Sequence, residues 1–492
     1  MLNVVRIGEY HLPRGQNVQC DGNDVLQEMH LRIVQIARLL VFSLLISLGR
    51  GTPAQAAGTY YVAPTGSDSN AGTLASPWRT IQKAANTLQA GDTVYIRGGT
   101  YQERVVINVS GTSGNYITFQ NYASESVTVN GNKSLPSTRG SGLIEINSKS
   151  YIKIIGLQVT NSFSYGIKNN GQYITIQNCE VSYSNDGGII SESVANNITV
   201  DGCDVHHNND IGLSAWHEAV TMSGVNTFEV KNSQVHDNKE EGIVAKYDAT
   251  NGSIHHNKSF NNNGPNIYLD GPSNIKVYNN EVHATLGAKA GIGLSIEDID
   301  ANGQTSNISI YNNLIYDNAA GIWFWIQTAD STKLFSGITI VNNVIYNNNR
   351  NTWGGVYLMS GGSSNYSNVV IRNNIFWENT LSGGKSIKGD TSVLSTFAID
   401  HNLFKTGESS DAFGTSSVTT SDVQWVNKAN NDFHLQSGSP AIDSGSTTGA
   451  PTVDYDGTAR PQKNGFDLGA YEYASSTVTV PVAPSQLTVA AQ

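Results

Sequence analysis

One short unit recurs along most of this chain and limits what it can fold into. It reads apolar-x-apolar, Asn-Asn-x-apolar, Asn, then Gly-apolar, as in Ile275 to Val282, Ile308 to Ile315, Ile338 to Ile345 and Val370 to Phe376. Aligned on the second residue of the Asn-Asn pair, the column is Cys179, Cys203, Ser233, Asn257, Asn280, Asn313, Asn343, Asn374 and Asn402, with steps of 24, 30, 24, 23, 33, 30, 31 and 28 residues. Short alternating strands at such a period cannot bury their apolar faces alone and must stack on their neighbours. The spacing predicts an all-β, right-handed single-stranded parallel β-helix with an N-terminal helix cap. Asn at a fixed turn position can bond its counterparts above and below, so the column is read as structural.

Composition agrees. Charged residues are 14% of the 492, Gly numbers 49, and no break in character divides residues 58 to 473. A net charge of −11 gives no basic footprint for nucleic acid, and no long apolar run beyond the N-terminus could span a bilayer. Arg32 and Arg38 precede the apolar run Leu39 to Leu48, and Ala54-Gln55-Ala56 supplies a cleavage pattern, so residues 29–57 read as a signal peptide and 1–28 as a mis-start extension. Secretion follows, as a monomer with a polysaccharide partner and no membrane once the signal is removed. The cap and first coils are assigned to 58–140, the helix with an active groove to 141–425, a closing segment to 426–473 and a linker to 474–492. Cys179 and Cys203, one repeat apart, are expected as stacked buried thiols.

Equivalent slots on stacked coils line one groove, ~4.8 Å apart. The slot three residues after the Gly-apolar pair holds Glu192, Trp216, Lys246, Asp270, Glu297 and Trp325; the neighbouring outward slot includes Ser214, Tyr268, Ser295 and Trp323. Alternation turns both slots outward. Charges flanked by exposed aromatics suit a sugar polymer better than a plain surface. Two chemistries compete. In β-elimination, Lys246 removes the proton α to a uronate carboxylate, which Ca²⁺ held by Glu241 and neighbouring carboxylates neutralises. In retaining hydrolysis, Asp270 is the nucleophile and Glu297 the acid/base, while Lys246 and Glu192 bind substrate. A lysine beside two carboxylates stays protonated unless a cation offsets them. A non-catalytic polysaccharide-binding solenoid is the third reading. Glu192, Trp216, Tyr268, Trp323 and Trp325 are expected to bind substrate. The pairs His206-His207 and His255-His256 read as turn residues whose rings point apart.

Four parts of the chain carry resemblances. Tyr60 to Asp68, Pro77 to Thr80 and Gly91 to Tyr101 resemble the N-terminal cap of extracellular β-helix enzymes; Asp432 to Leu435, Gly438 to Asp443 and Asp467 to Glu472 resemble a closing segment of secreted bacterial β-helices. Ala483 to Val489 looks like the opening of a fibronectin type III module. Glu241-Gly-Ile-Val-Ala-Lys246, with Asn257-Lys-Ser-Phe and Asn266-Ile-Tyr-Leu-Asp270, resembles the catalytic coils of polysaccharide lyase family six, the alginate lyases and chondroitinase B. That resemblance implies Glu241 as a calcium ligand and Lys246 as the Brønsted base, but Asp270 stands where the family places an arginine. The calcium-dependent pectate lyases of family nine are similar in architecture; of their clustered aspartates Asn209-Asp210-Ile-Gly retains only Asp210, the second expected calcium contact.

Overall fold

A computed structural model describes residues 57–474, apart from 193, 211–217, 301, 381–383 and 411–413. The expected signal segment, the extension before it, residues 475–492 of the tail and Trp216 lie outside the described residues. The chain winds through three long sheets of 13, 12 and 13 strands, visited in turn. One coil shows the plan: Asn226–Lys231 in the first sheet, Gln234–His236 in the third and Ile243–Lys246 in the second, before Thr250–His255 returns to the first. Strands stack in parallel on the coil above, as Ile243–Lys246 does on Ile267–Asp270. The expected parallel β-helix is the fold.

Each corner has a division of labour within the Asn-Asn pair. The first residue takes the left-handed conformation, with φ of 52° at Asn279, 53° at Asn312, 54° at Asn342 and 57° at Asn373. Asn enters that region at lower cost than most side chains. The second residue forms an amide ladder. Asn313 donates through Nδ2 to Val277 O at 2.9 Å and to Asn343 Oδ1 at 3.0 Å, while its own Oδ1 accepts the Asn280 backbone N–H at 3.0 Å. Every rung is thus satisfied inside the wall, where an unpaired amide would cost about 1–3 kcal/mol. A second ladder runs through the next corner, where Asn208, Asn238 and Asn262, then Asn318, Asn348 and Asn379, repeat the pattern. Cys179 and Cys203 continue the first column as buried free thiols.

Alternation sets what lies inside. In Asn226–Lys231, Phe228 and Val230 are buried in the cylinder while Glu229 and Lys231 stay partly exposed outside. The second sheet departs from that rule. Every residue of Ile243–Lys246, Ile267–Asp270 and Ala290–Ile296 is buried, so its outer face is covered as well as its inner one. A sheet packed on both faces is where an enclosed site can form.

Helix Ile81–Thr87 covers the first coils, burying Ile81, Ala84 and Ala85. Thr80 caps it, accepting from Lys83 N at 3.1 Å, and the Glu103 carboxylate accepts from Ile81 N and Gln82 N at 2.9 and 3.0 Å. The C-terminal segment folds back along the flank. Its backbone carbonyls at Tyr455, Val453 and Asp467 accept from the first-position amides of Asn279, Asn312 and Asn342. The Arg460–Glu472 ion pair at 2.8 Å, fully enclosed, pins it.

Candidate active site

The second sheet carries the candidate residues. Its outward file, read from strand register, is Glu192, Ser223, Lys246, Asp270, Ser295 and Trp325. Two of the expected members therefore change. Ile267 pairs with Ile292 and not with Leu294, so the matching pair on that coil is Gly291-Ile292 and the slot falls on Ser295 rather than Glu297. On the coil between Glu192 and Lys246 the slot is filled by Ser223; Trp216, expected there, lies outside the described residues. A slip of two residues preserves which side chains face out, so alternation alone does not reveal it.

Glu297 still joins the buried cluster around Asp270, by another route. It follows the strand Ala290–Ile296, and its Oε1 accepts from the Tyr268 hydroxyl at 3.0 Å. Asp270 lies one rung from Lys246 and accepts from Ser295 Oγ at 2.6 Å, and the charge of Asp300 acts on it. Asp300 in turn accepts the Glu297 backbone N–H at 2.7 Å. Lys246 is ion-paired with Glu218, whose other oxygen accepts from Thr221 Oγ1 at 2.9 Å. Glu218 stands at the entry to the strand Val220–Ser223, outside the repeat unit, and slot counting passes over it.

Burial governs the charges. It drives the Asp270 carboxyl up to about 8, with the negative charges of Asp300 and Glu297 adding to the shift and the Ser295 bond opposing it. Burial, then the charge of Glu218, raises Glu241 to about 7. Glu297 is raised by burial against the pull of its Tyr268 bond. At Lys246 burial acts downward, but the charge and hydrogen bond of Glu218 outweigh it and hold the ammonium above its ordinary range. The wall therefore carries a carboxyl protonated up to about 8 one rung from a fixed cation.

The expected calcium contacts are not gathered into a metal site. Asp210 is tied to Lys133 at 2.8 Å, with Lys239 at 3.7 Å. Glu241 sits where burial disfavours its charged form. No group of three metal-ligating side chains is placed to hold an ion among the described residues. These residues do not fit a calcium ion, which takes about six to eight oxygens.

The aromatics expected on an open surface are enclosed. Trp323 is 4% exposed and Tyr268 8%, and they lean together over Gly293, where an added Cβ would come within 2.6 and 2.7 Å of them. Trp325 is half-buried, and Glu192 is paired with Lys168 at 2.8 Å. The histidine pairs correct another expectation. The Nδ1 atoms of His206 and His207 meet at 2.8 Å, as do those of His255 and His256, so the rings converge in hydrogen-bonded pairs, while His207 and His256 remain left-handed turn residues.

Sheet order, ladder and site sheet together define a right-handed parallel β-helix with a buried cluster of carboxyls on one wall. Residues 60–219 match the sequence model of the Pel9A-like, right handed beta helix region, and residues 216–336 match that of the right handed beta helix region. Over 106 residues the chain is 42% identical to the uncharacterized protein YwoF of Bacillus subtilis (strain 168), covering 21% of this chain and 23% of that protein. Over 127 residues it is 35% identical to pectate lyase PEL9 of Emericella nidulans, covering 23% of this chain and 30% of that one. The matched parts thus span less than a third of either relative. The crystal structure of pectate lyase Pel9A superposes with a TM-score of 0.53 at 17% identity, covering 87% of this chain and 98% of that one. XylC in complex with xylose gives 0.55 at 12% identity, covering 85% and 98%. At those identities the two structures establish the fold. No helix among the described residues is long and apolar enough to cross a membrane.

Proposed function

We propose that this chain is a secreted polysaccharide lyase that cleaves a uronate-containing polymer by β-elimination in the recess of Lys246 and Asp270. The carrying observation is that a buried lysine and a carboxyl protonated up to about 8 occupy adjacent rungs of one outward file. In its neutral form Lys246 takes the proton α to the uronate carboxylate, the glycosidic C–O bond on the adjacent carbon breaks as a carbon–carbon double bond forms, and the Lys246 ammonium returns the proton to the departing oxygen. Protonated Asp270 donates a hydrogen bond to the carboxylate oxygen on which charge then develops, a role open only to the neutral acid in a site screened from water. Glu297, held by Tyr268, lines the same recess. Support also comes from the partial match to a pectate lyase and to the Pel9A-like region.

Because Glu218 holds Lys246 protonated while Asp270 must keep its proton, this reading requires activity to rise with pH up to about 8 and to level off as Asp270 ionises. A second reading is favoured by one feature. A carboxyl still protonated to about 8 suits Asp270 as the general acid, the reverse of the nucleophile role expected from the sequence, so hydrolysis with Glu297 as its partner would run at neutral pH and fade as Asp270 ionises. Incubation with polygalacturonate, alginate and chondroitin separates them. Ultraviolet absorbance from unsaturated ends, rising with pH and lost in Lys246→Met, is the expected result; reducing ends without that absorbance would replace elimination by hydrolysis. Binding without turnover of any polymer would leave a binding solenoid. The same assay after chelation measures any need for calcium.

A further inference from the structure

The two directions along the site sheet differ in charge pairing. Toward the N-terminus, cations at the wall are matched with carboxylates: Arg104 with Glu145, Arg139 with Asp186 at 3.0 Å, Lys168 with Glu192 at 2.8 Å and Lys133 with Asp210 at 2.8 Å. Toward the C-terminus, the neighbouring outward file becomes aromatic, running from Tyr268 over Gly293 to Trp323 and Tyr357. Half-buried Trp353 bridges the last two, with ring centroids 5.7 Å from Trp323 and 5.9 Å from Tyr357, the latter pair inclined by only 9°. Two lysines hang over these rings: Lys289 Nζ is 5.5 Å from the Trp323 centroid and Lys388 Nζ 5.9 Å from that of Tyr357. Among the described residues neither lysine forms an ion pair. Lys388 donates to the backbone carbonyl of Thr352 at 2.8 Å, and Lys289 acts on Glu240 and Glu241 through space.

We infer that these coils form a subsite for anionic sugar residues, with Trp353 and Tyr357 as the stacking surface and Lys289 and Lys388 as the carboxylate contacts. The inference rests on the reading of the recess as a polysaccharide site and adds the direction in which the polymer runs from it. Aromatic faces offer the apolar platform that a sugar ring covers, and a cation beside each ring selects an acidic sugar over a neutral one. The backbones of Lys289 and Lys388 are three rungs apart, roughly 14 Å at the inter-strand spacing, while their ammonium groups reach over rings on adjacent rungs.

The test is affinity electrophoresis of the full chain bearing Lys246→Met, which stops turnover under the proposed mechanism, through gels containing polygalacturonate or its carboxyl-reduced, neutral counterpart. Polygalacturonate is expected to retard the protein and the neutral polymer is not. Retardation should weaken at least fivefold in Lys289→Ala/Lys388→Ala and in Tyr357→Ala, and return in Lys289→Arg/Lys388→Arg. Equal retardation by both polymers, no retardation by the acidic one, or lysine variants that bind as the parent does would overturn the subsite. Circular dichroism guards against loss of fold. Lysine-dependent binding in a chain that cuts no polymer would keep the subsite while removing the proposed activity.

Discussion

Lys246 and Glu218 form an ion pair whose side chains are 7% and 6% exposed, at the centre of the recess and at the end of the strand that carries Lys246. Leaving one partner of such a pair alone in the interior is costly, about 3–5 kcal/mol. Glu218→Ala is therefore expected to lower the melting temperature clearly. Glu218→Gln keeps a hydrogen-bond partner while removing the charge, so burial then dominates at Lys246. Its pKa should fall, and activity at neutral pH should rise. A pH–rate profile unmoved by this substitution would show that Lys246 is not the base.

Stability should carry the signature of Asp270. Its folded-state carboxyl is raised to about 8 from an ordinary 3.8, so above the lower value the native state holds a proton that the unfolded chain has lost. The associated stability is fully present below 3.8 and is lost as pH rises through about 8. The limiting slope is about 1.4 kcal/mol per pH unit for one group. Glu241 and Asp467, raised to about 7 and about 6, slope the same way. The difference between the parent and Asp270→Asn in thermal unfolding therefore isolates this residue: the parent should lose ground to the variant steadily from weakly acidic to mildly alkaline pH.

Corner positions should respond oppositely to glycine. Asn261 holds a φ of 54°, and Gly adopts that backbone freely, so Asn261→Gly should leave the melting temperature almost unchanged. Its neighbour Asn262 donates to Val235 O at 3.0 Å and to Asn266 Oδ1 at 2.9 Å, and accepts from Asn238 Nδ2 at 2.9 Å. Asn262→Gly should cost about 2–4 kcal/mol in denaturant unfolding, since it strands buried groups on two coils. Equal effects at both positions would contradict the ladder.

Cys179 and Cys203 are free and buried on successive rungs of the first corner. In a chain carrying Cys20→Ser, so that these two alone report, a thiol reagent should leave both unlabelled in the native protein and label both once denaturant opens the coils, with intact mass as the readout. Rapid labelling of folded protein would mean that this wall opens locally.

The repeat by itself determined the architecture. An Asn-Asn pair every two to three dozen residues, between strands of alternating polarity, admits a stack of coils and little else, and both members of the pair found the local conditions that Asn satisfies: a left-handed corner at Asn312 and a buried amide rung at Asn313. Lys246 and Asp270 were also legible as neighbours on one file, because uniform spacing joins their coils. Tertiary structure alone decided the rest. Longer coils let Ser295 take the slot that counting gave to Glu297, a shift of two residues that alternation does not register. Glu218 enters from a corner outside the repeat, and Tyr268, Asp270 and Trp323 on the outer face are buried. Periodicity reports only which way a side chain points; whether that side meets water or protein, and so whether a carboxyl there keeps its proton, depends on what the remaining chain lays over it.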